Sequence, residues 1–329
     1  MISSRLAAIP KADIHLHAET NSRVERLISL REGRSPHNWR AANRRLRGIP
    51  PGIERLKDLS GDLEVKDLDS LARENFVEWV SDAMSEAVQE GAVLIEIRFG
   101  AEWVKWPDLM SKFREAENLV RNDHPNFVAE AIISGVSPAR AGAQDVIDSC
   151  LQAHKDGLAG IDFLPVPYER EADGESWRKI YSWGELASGV GLGITVHAGE
   201  FSTANIRSAL GVPGLTRIGH ATYAAYDSTL LSELAKARVT VECCLTSNVV
   251  LGAVSSLEEH PIRTFVDAGV PVTISSDDPV RLGATIGGEY HLATRLDLDA
   301  SDLLKFTRNG IEASFTSEER KANLLANMP

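Results

Sequence analysis

Ala92-Val93-Leu94-Ile95-Glu96-Ile97-Arg98-Phe99 is a β-rich run entered through Gly91. The stretch before it, residues 70–90, sets Leu71, Phe76, Val80, Met84 and Val88 near one helical face. A helix feeding a strand is the unit from which parallel sheets are built, because parallel neighbours need a crossover between them. The same alternation runs along the whole chain. Strand-like runs fall near 11–18, 92–99, 127–135, 159–164, 192–198, 216–221, 239–244 and 271–276, most of them beside a glycine or proline such as Gly91, Pro125, Gly157, Gly214, Gly269 or Pro271. Residues 228–238 form another helix-like stretch, with Leu230, Leu231 and Leu234 on one side. Eight such strands with helices between them predict an α/β protein of the (β/α)8 barrel type, a single domain over residues 1–329.

The ends of four of these runs carry chemistry. The first contains His15-Leu16-His17, the fifth ends His197-Ala198-Gly199-Glu200, the sixth ends Gly219-His220, and the eighth ends Ser275-Ser276-Asp277-Asp278-Pro279. Alternate residues of a strand share a face, so His15 and His17 point the same way and both ring nitrogens can reach one ion. One more histidine and one carboxylate would complete an N/O ligand set with room for water. Glu200, His220 and Asp278 remain as acid/base candidates. Barrel enzymes keep their active sites at the carboxyl ends of the strands, so motif and fold agree.

Composition fits an ordinary enzyme. The 329 residues are 43% hydrophobic, enough for a sizeable core, and the net charge of −12 argues against a nucleic-acid or anionic-membrane partner. No apolar run reaches membrane-spanning length. Met1-Ile2-Ser3-Ser4-Arg5 leads almost directly into the first strand without the pattern of a secretory signal. Cys150, Cys243 and Cys244 give no disulfide framework, so a cytoplasmic location is expected. No pattern in the chain sets an oligomeric state.

The ordered series His15-x-His17, His197-Ala198-Gly199-Glu200, Gly219-His220 and Asp277-Asp278-Pro279 resembles the adenosine deaminase family of the amidohydrolase superfamily. Weaker matches, Glu90-Gly91 before Glu96-Ile97-Arg98, Ser247-Asn248 and Ser314-Phe315, extend the resemblance over nearly the whole chain. It implies one zinc ion per chain held by His15, His17, His197 and Asp277, and a helical lid after strand 1. It also implies hydrolytic deamination of a purine such as adenosine or adenine, or of a related aminated heterocycle, with water as co-substrate. Within that chemistry His220 orients the water and takes its proton, Asp278 accepts a hydrogen bond, and Glu200 protonates the ring nitrogen beside the attacked carbon.

Each residue alone has a plainer reading. The histidines could be satisfied core groups, Glu200 could cap the helix after strand 5, and Asp277 or Asp278 could cap one that starts at Pro279. Taken together they would bury many polar groups in one place without partners, which favours the functional reading. Two competitors are another C–N or ester hydrolysis on the same metal and a catalytically silent metal-binding protein.

The departures from the family pattern gather around substrate recognition. Ala18-Glu19-Thr20 follows the first motif where the family's purine deaminases usually have Leu-Asp-Gly or Leu-Glu-Gly, which marks Glu19 as a substrate contact. Pro165 falls where a glycine amide usually meets the purine, and proline has no N–H to donate. Trp103, with Trp106, is a packing residue that could also stack on a flat heterocycle. These departures make adenosine an expected poor substrate. The arginine-rich stretch from Arg31 to Lys57 reads as a solvated helix face, with an anion site as the sharper alternative. Glu96 and Arg98 read as members of a structural ion network.

Overall fold

The computed structural model describes residues 8–61 and 63–329. The Met1–Arg5 stretch read for targeting signals lies outside the described residues. The first strand, β1 (Lys11–His17), is followed by five helices: α1 (Thr20–Arg31), α2 (Trp39–Leu46), α3 (Ile53–Gly61), α4 (Leu68–Glu74) and α5 (Phe76–Gln89). Alternation is regular from there: β2 (Ala92–Gly100), α6 (Leu109–Arg121), β3 (Val128–Val136), α7 (Ala143–Ala153), β4 (Gly160–Phe163), α8 (Gly174–Gly189) and β5 (Gly193–Ala198). Next come α9 (Ile206–Leu210), β6 (Leu215–His220), α10 (Ser228–Ala237), β7 (Thr240–Cys243), α11 (Leu245–Leu251), α12 (Ile262–Asp267) and β8 (Val272–Ile274). The chain finishes with α13 (Pro279–Leu282), α14 (Ile286–Ala293), α15 (Ala300–Ala313) and α16 (Glu318–Ala326).

All neighbouring strands pair in parallel, in the order β1 to β8. The ring returns to its start through a bridge between Leu16 and Asp277. There His17 N donates to Asp277 O at 2.7 Å and Asp277 N donates to His15 O at 2.8 Å. The expected barrel is therefore present, with every strand within three residues of its sequence-read bounds. One expectation differs. Residues 70–90 form two helices rather than one, because Asn75 turns its Nδ2 back to Leu71 O at 2.7 Å and interrupts the helix there.

Apolar residues fill the layer between strands and helices, while the barrel interior is ionic. Arg98 on β2 donates to Asp162 on β4 at 2.9 Å and to Glu242 on β7 at 2.6 Å. Arg217 on β6 donates to Glu96 on β2 at 2.5 Å, and its Nε lies 3.0 Å from Glu242. Strands that are not neighbours can share such contacts only across the barrel axis. Glu96 and Arg98 thus belong to a network, as expected, but each finds its partners on other strands.

The amino end of the barrel is plugged by the segment after α15. The Phe315 amide donates to Glu96, and its ring lies under the Arg217 guanidinium, 3.8 Å from carbon to centroid. Gly160 and Gly193 make room for that ring, since a Cβ on either would overlap it. Gly193→Ala should therefore destabilise the fold by about 1–3 kcal/mol, the usual cost of overpacking a filled site. Thermal or urea denaturation checks this, and an unchanged midpoint would show that the plug is not tightly seated.

Candidate metal and catalytic site

A cavity of about 800 Å³ opens at the carboxyl ends of the strands, lined by His17, His197, Glu200, His220, Asp277 and Asp278 among others. His15 lies fully buried beneath it. The four strand ends singled out in the sequence therefore meet in one place. Their backbone is unusual there. Of the eight non-glycine residues with positive φ among those described, Glu19, His220 and Asp277 line this cavity, and Ala221 follows His220 directly. Such conformations cost of order 1–3 kcal/mol each and persist where the surroundings over-determine them. Gly219 serves packing, because a Cβ there would lie 2.9 Å from the His15 ring and 3.4 Å from that of His197.

The donor set is one of acceptors facing acceptors. His15 Nδ1 donates to Glu242 at 2.7 Å, so Nε2 carries the lone pair. That nitrogen points toward Asp277 Oδ1 at 3.6 Å and toward Arg98 Nη1 at 3.4 Å. His17 Nε2 lies 3.4 Å from the same carboxylate oxygen. His197 Nδ1 is held 2.8–2.9 Å from the two oxygens of Asp162, directing its Nε2 away from that carboxylate. Burial, reinforced by the Arg98 charge, holds His15 well below its ordinary pKa; burial takes His17 down to about 4 against the pull of Asp277. Both rings are neutral near pH 7. Neutral imidazoles and a carboxylate converging on one another, with only the long Arg98 contact among them, fit a cation, and carboxylates behind ligand histidines are the usual second support of metal sites. Within the described residues, His15, His17 and Asp277 form one compact group, and His15, His197 and His220 another.

A buried relay fixes His220. The Ile262 amide donates to His260 Nδ1 at 3.2 Å, so His260 Nε2 carries the proton and donates to Asn248 Oδ1 at 3.1 Å. The Asn248 amide then faces His220 Nδ1 at 3.3 Å. His220 consequently presents Nε2–H to the cavity, 3.9 Å from Glu200 Oε2. This polarity suits orienting an oxygen rather than taking a proton from it.

Glu200 is buried in the cavity lining. Burial, then the charge of Asp277, raises its pKa well above the ordinary value. Tyr168 OH donates to Oε2 at 3.0 Å, while Oε1 is buried and makes no hydrogen bond of good geometry, though the Asn248 amide is near enough to draw the pKa down. Asn205, not Glu200, precedes α9. Asp278 makes no capping bond to α13. That cap comes from Glu19, whose carboxylate accepts from Val280 N and Arg281 N at 2.8 Å each.

Glu19 thus lines the cavity with its carboxylate engaged to backbone. Trp103 lines it too while packing against Phe76, Phe99 and Trp106. Pro165 is buried, and its neighbours Leu164 and Val166 face the cavity instead. Sequence reasoning missed Asp162, Tyr168, Glu242 and His260. Single acidic residues inside the apolar runs 159–164 and 239–244 were the available signal.

This is a (β/α)8 barrel whose open end gathers metal-ligand chemistry around a buried carboxyl group, the architecture of a metal-dependent hydrolase. A family model described as adenosine deaminase matches residues 136–328. Adenosine deaminase of Erwinia tasmaniensis is 31% identical, with 100% of this chain and 99% of that protein covered. Aminodeoxyfutalosine deaminase of Streptomyces coelicolor is 45% identical over 189 residues, 57% of this chain and 49% of that protein. The structure of adenine deaminase from Arthrobacter aurescens shares the fold, with a TM-score of 0.75 at 22% identity over 97% of this chain and 98% of that one. The chain belongs to the adenosine deaminase family of hydrolytic deaminases.

Asp162→Ala should weaken divalent-metal retention about 10- to 100-fold, the usual effect of removing a carboxylate behind a ligand histidine. Equilibrium dialysis against a chelator measures it. Retention equal to that of the unaltered protein would remove His197 from the ligand set.

Proposed function

We propose that this chain is a zinc-dependent deaminase that hydrolyses the exocyclic amino group from a purine or related aminated heterocycle and releases ammonia. The observation that carries this is the buried, protonated Glu200 with a free oxygen beside converging neutral histidines and Asp277. His15, His17, His197 and Asp277 would hold one zinc ion, since three nitrogens and a carboxylate oxygen suit it. When bound, zinc supplies Lewis acidity that brings the pKa of a water in its open position to roughly 7.

The remaining steps belong to the chain. His220 Nε2–H orients the attacking oxygen. Asp278, whose pKa burial raises against the opposing charge of Arg281, receives the proton that water gives up. Glu200, with Oε2 occupied by Tyr168, donates from Oε1 to the ring nitrogen adjacent to the attacked carbon. Protonation there makes the carbon electrophilic as the oxygen adds to it; the departing amine takes the proton held on Asp278 and leaves as ammonia, while the hydroxyl proton of the new C–O bond returns to Glu200 as the carbonyl forms. Ester or simple amide hydrolysis has no use for such a donor, which favours deamination.

Thr20, Asn21, Leu56 and Leu68 all line the cavity, which supports a helical cover following β1. One closed strand ring, plugged by the C-terminal segment, supports a single domain. Three buried free thiols fit the cytoplasm. Among the described residues no helix is long and apolar enough to cross a membrane. Relatives named for adenosine and for aminodeoxyfutalosine support both compounds as members of an ammonia-release panel. Given Ala18-Glu19-Thr20, adenosine should be the poorer of them, with kcat/KM below about 10⁵ M⁻¹s⁻¹.

Glu200→Gln should keep about one zinc per chain by metal analysis, yet lose roughly 10² to 10⁴ in turnover, the share a general acid supplies. Near-normal turnover in that variant, or a chain that takes up no divalent metal, would contradict the proposal. The raised pKa of Glu200 also sets a sign. Its acid form is the active one, so kcat/KM should hold through neutral pH and fall as pH rises through that pKa. In Glu200→Gln the alkaline limb should disappear from the residual activity, and its persistence would locate the acid elsewhere.

A further inference from the structure

A second cavity, of about 700 Å³, lies between α2, α3, α11 and α13. Four arginines line it: Arg40 and Arg44 on α2, Arg47 just past its end, and Arg55 on α3. Among the described residues no carboxylate joins them on the lining. In a chain with 47 acidic and 35 basic residues, that segregation of positive charge runs against the composition.

The fold aims these side chains. Arg40, Asn43, Arg44 and Arg47 are spaced i, i+3, i+4 and i+7, so they share one stripe of α2. Asn43 fixes where that stripe points, because its Nδ2 donates to Arg281 O at 2.8 Å, between Val280 and Leu282 of the facing wall. Arg55 is held from the adjoining wall, with Nε donating to Ile49 O and Nη1 to Val250 O at 3.0 Å each. Among the described residues none of the four arginines has a carboxylate partner; Glu54, beside Arg55, is taken by Lys57 at 2.7 Å. Like charges at i and i+4 repel, so the bare stripe disfavours the helix that carries it.

This cavity also stands back to back with the catalytic one. Neighbouring residues on three shared walls divide between the two. Arg55, Val250 and Leu282 line the arginine cavity, while Leu56, Leu251 and Arg281 line the catalytic cavity. Arg281 is in turn the charge that opposes the raised pKa of Asp278.

We propose that the arginine cavity binds a small anion of two or three linked phosphoryl groups, and that its binding tightens substrate binding in the catalytic cavity. Guanidinium forks meet phosphoryl oxygens through paired hydrogen bonds, and four such cations exceed what one carboxylate balances. A concave site of this volume takes a small molecule rather than the face of an acidic protein. The bound anion neutralises the α2 stripe and so favours that helix. Asn43 passes the ordering to Arg281 O, and thus to the loop that carries Asp278. Substrate then has less to order, which lowers KM and leaves kcat unchanged.

Calorimetric titration of the zinc-loaded full-length protein with inorganic triphosphate, in excess magnesium to protect the zinc, tests the site without any substrate. One triphosphate should bind per chain, and more weakly as salt is raised. Arg44→Gln should weaken binding about tenfold, and Arg40→Gln with Arg44→Gln about 100-fold, the scale of lost charged hydrogen bonds. Arg31→Gln, whose arginine pairs with Glu78 outside the cavity, should leave binding unchanged. No saturable binding, or an affinity indifferent to the α2 arginines, would overturn the site. Inorganic phosphate binding as tightly as triphosphate would overturn the choice of linked phosphoryl groups. On a compound that the protein deaminates, triphosphate should lower KM by about fivefold or more at constant kcat. The double variant should keep its basal kcat and KM and lose that response. An unchanged KM, or an equal response in the double variant, would overturn the coupling. The titration needs no ammonia release, so the deaminase reading and this proposal fail separately.

Discussion

The seam between β1 and β8 is the constraint on which the rest of the structure depends. β8 is only three residues long, and the ring closes just past it, where Asp277 bridges Leu16. The backbone bonds of that closure belong to His15, His17 and Asp277. The same three residues supply side chains to the cavity floor. Closing the barrel and assembling the site are therefore one event. The left-handed backbone of Asp277 follows from it, because that residue must pair with β1 and still turn its carboxylate inward.

Below the seam, the ionic barrel interior does two jobs at once. Arg98, Arg217, Glu96, Asp162 and Glu242 pair with one another across the axis, and Asp162 and Glu242 also hold the histidine rings. Burial alone would raise the Asp162 pKa; His197 and Arg98 outweigh it and keep the carboxylate charged. Removing one partner of a buried pair typically costs about 3–5 kcal/mol, so the network ties ring orientation to global stability. Above the seam the logic reverses. Burial and the charge of Asp277 raise the Glu200 pKa well above the ordinary carboxyl value, which favours its protonated form. One fold thus favours the charged form of Asp162 and the neutral form of Glu200.

Much of this was legible in the sequence. Strand runs punctuated by glycine and proline located every strand, and the ordered motifs at the ends of β1, β5, β6 and β8 located the cavity residues. What stayed hidden depends on closure. That Asp162 and Glu242 meet histidines, or that His260 reaches His220 through Asn248, follows from which strands and loops face one another across the barrel. No local pattern encodes that. The polarity of the relay starts at a backbone amide, Ile262 N–H, which sequence cannot orient, and on the proposed reading it leaves His220 to orient the water and Asp278 to take its proton. Glu19 illustrates the same limit: its position beside the first motif points to substrate, yet the fold engages its carboxylate with the amides that open α13. The helix break at Asn75 was a local signal overshadowed by the apolar periodicity on either side of it.

The account stands on the claim that converging acceptors at the seam hold one metal ion. Anomalous X-ray diffraction at the zinc edge on crystals of the zinc-loaded protein tests it most directly. The account predicts a single peak about 2.0–2.2 Å from His15 Nε2, His17 Nε2, a His197 ring nitrogen and an Asp277 carboxylate oxygen. A peak ligated by His220 in place of His17 and Asp277, or no peak at the seam at all, would contradict it.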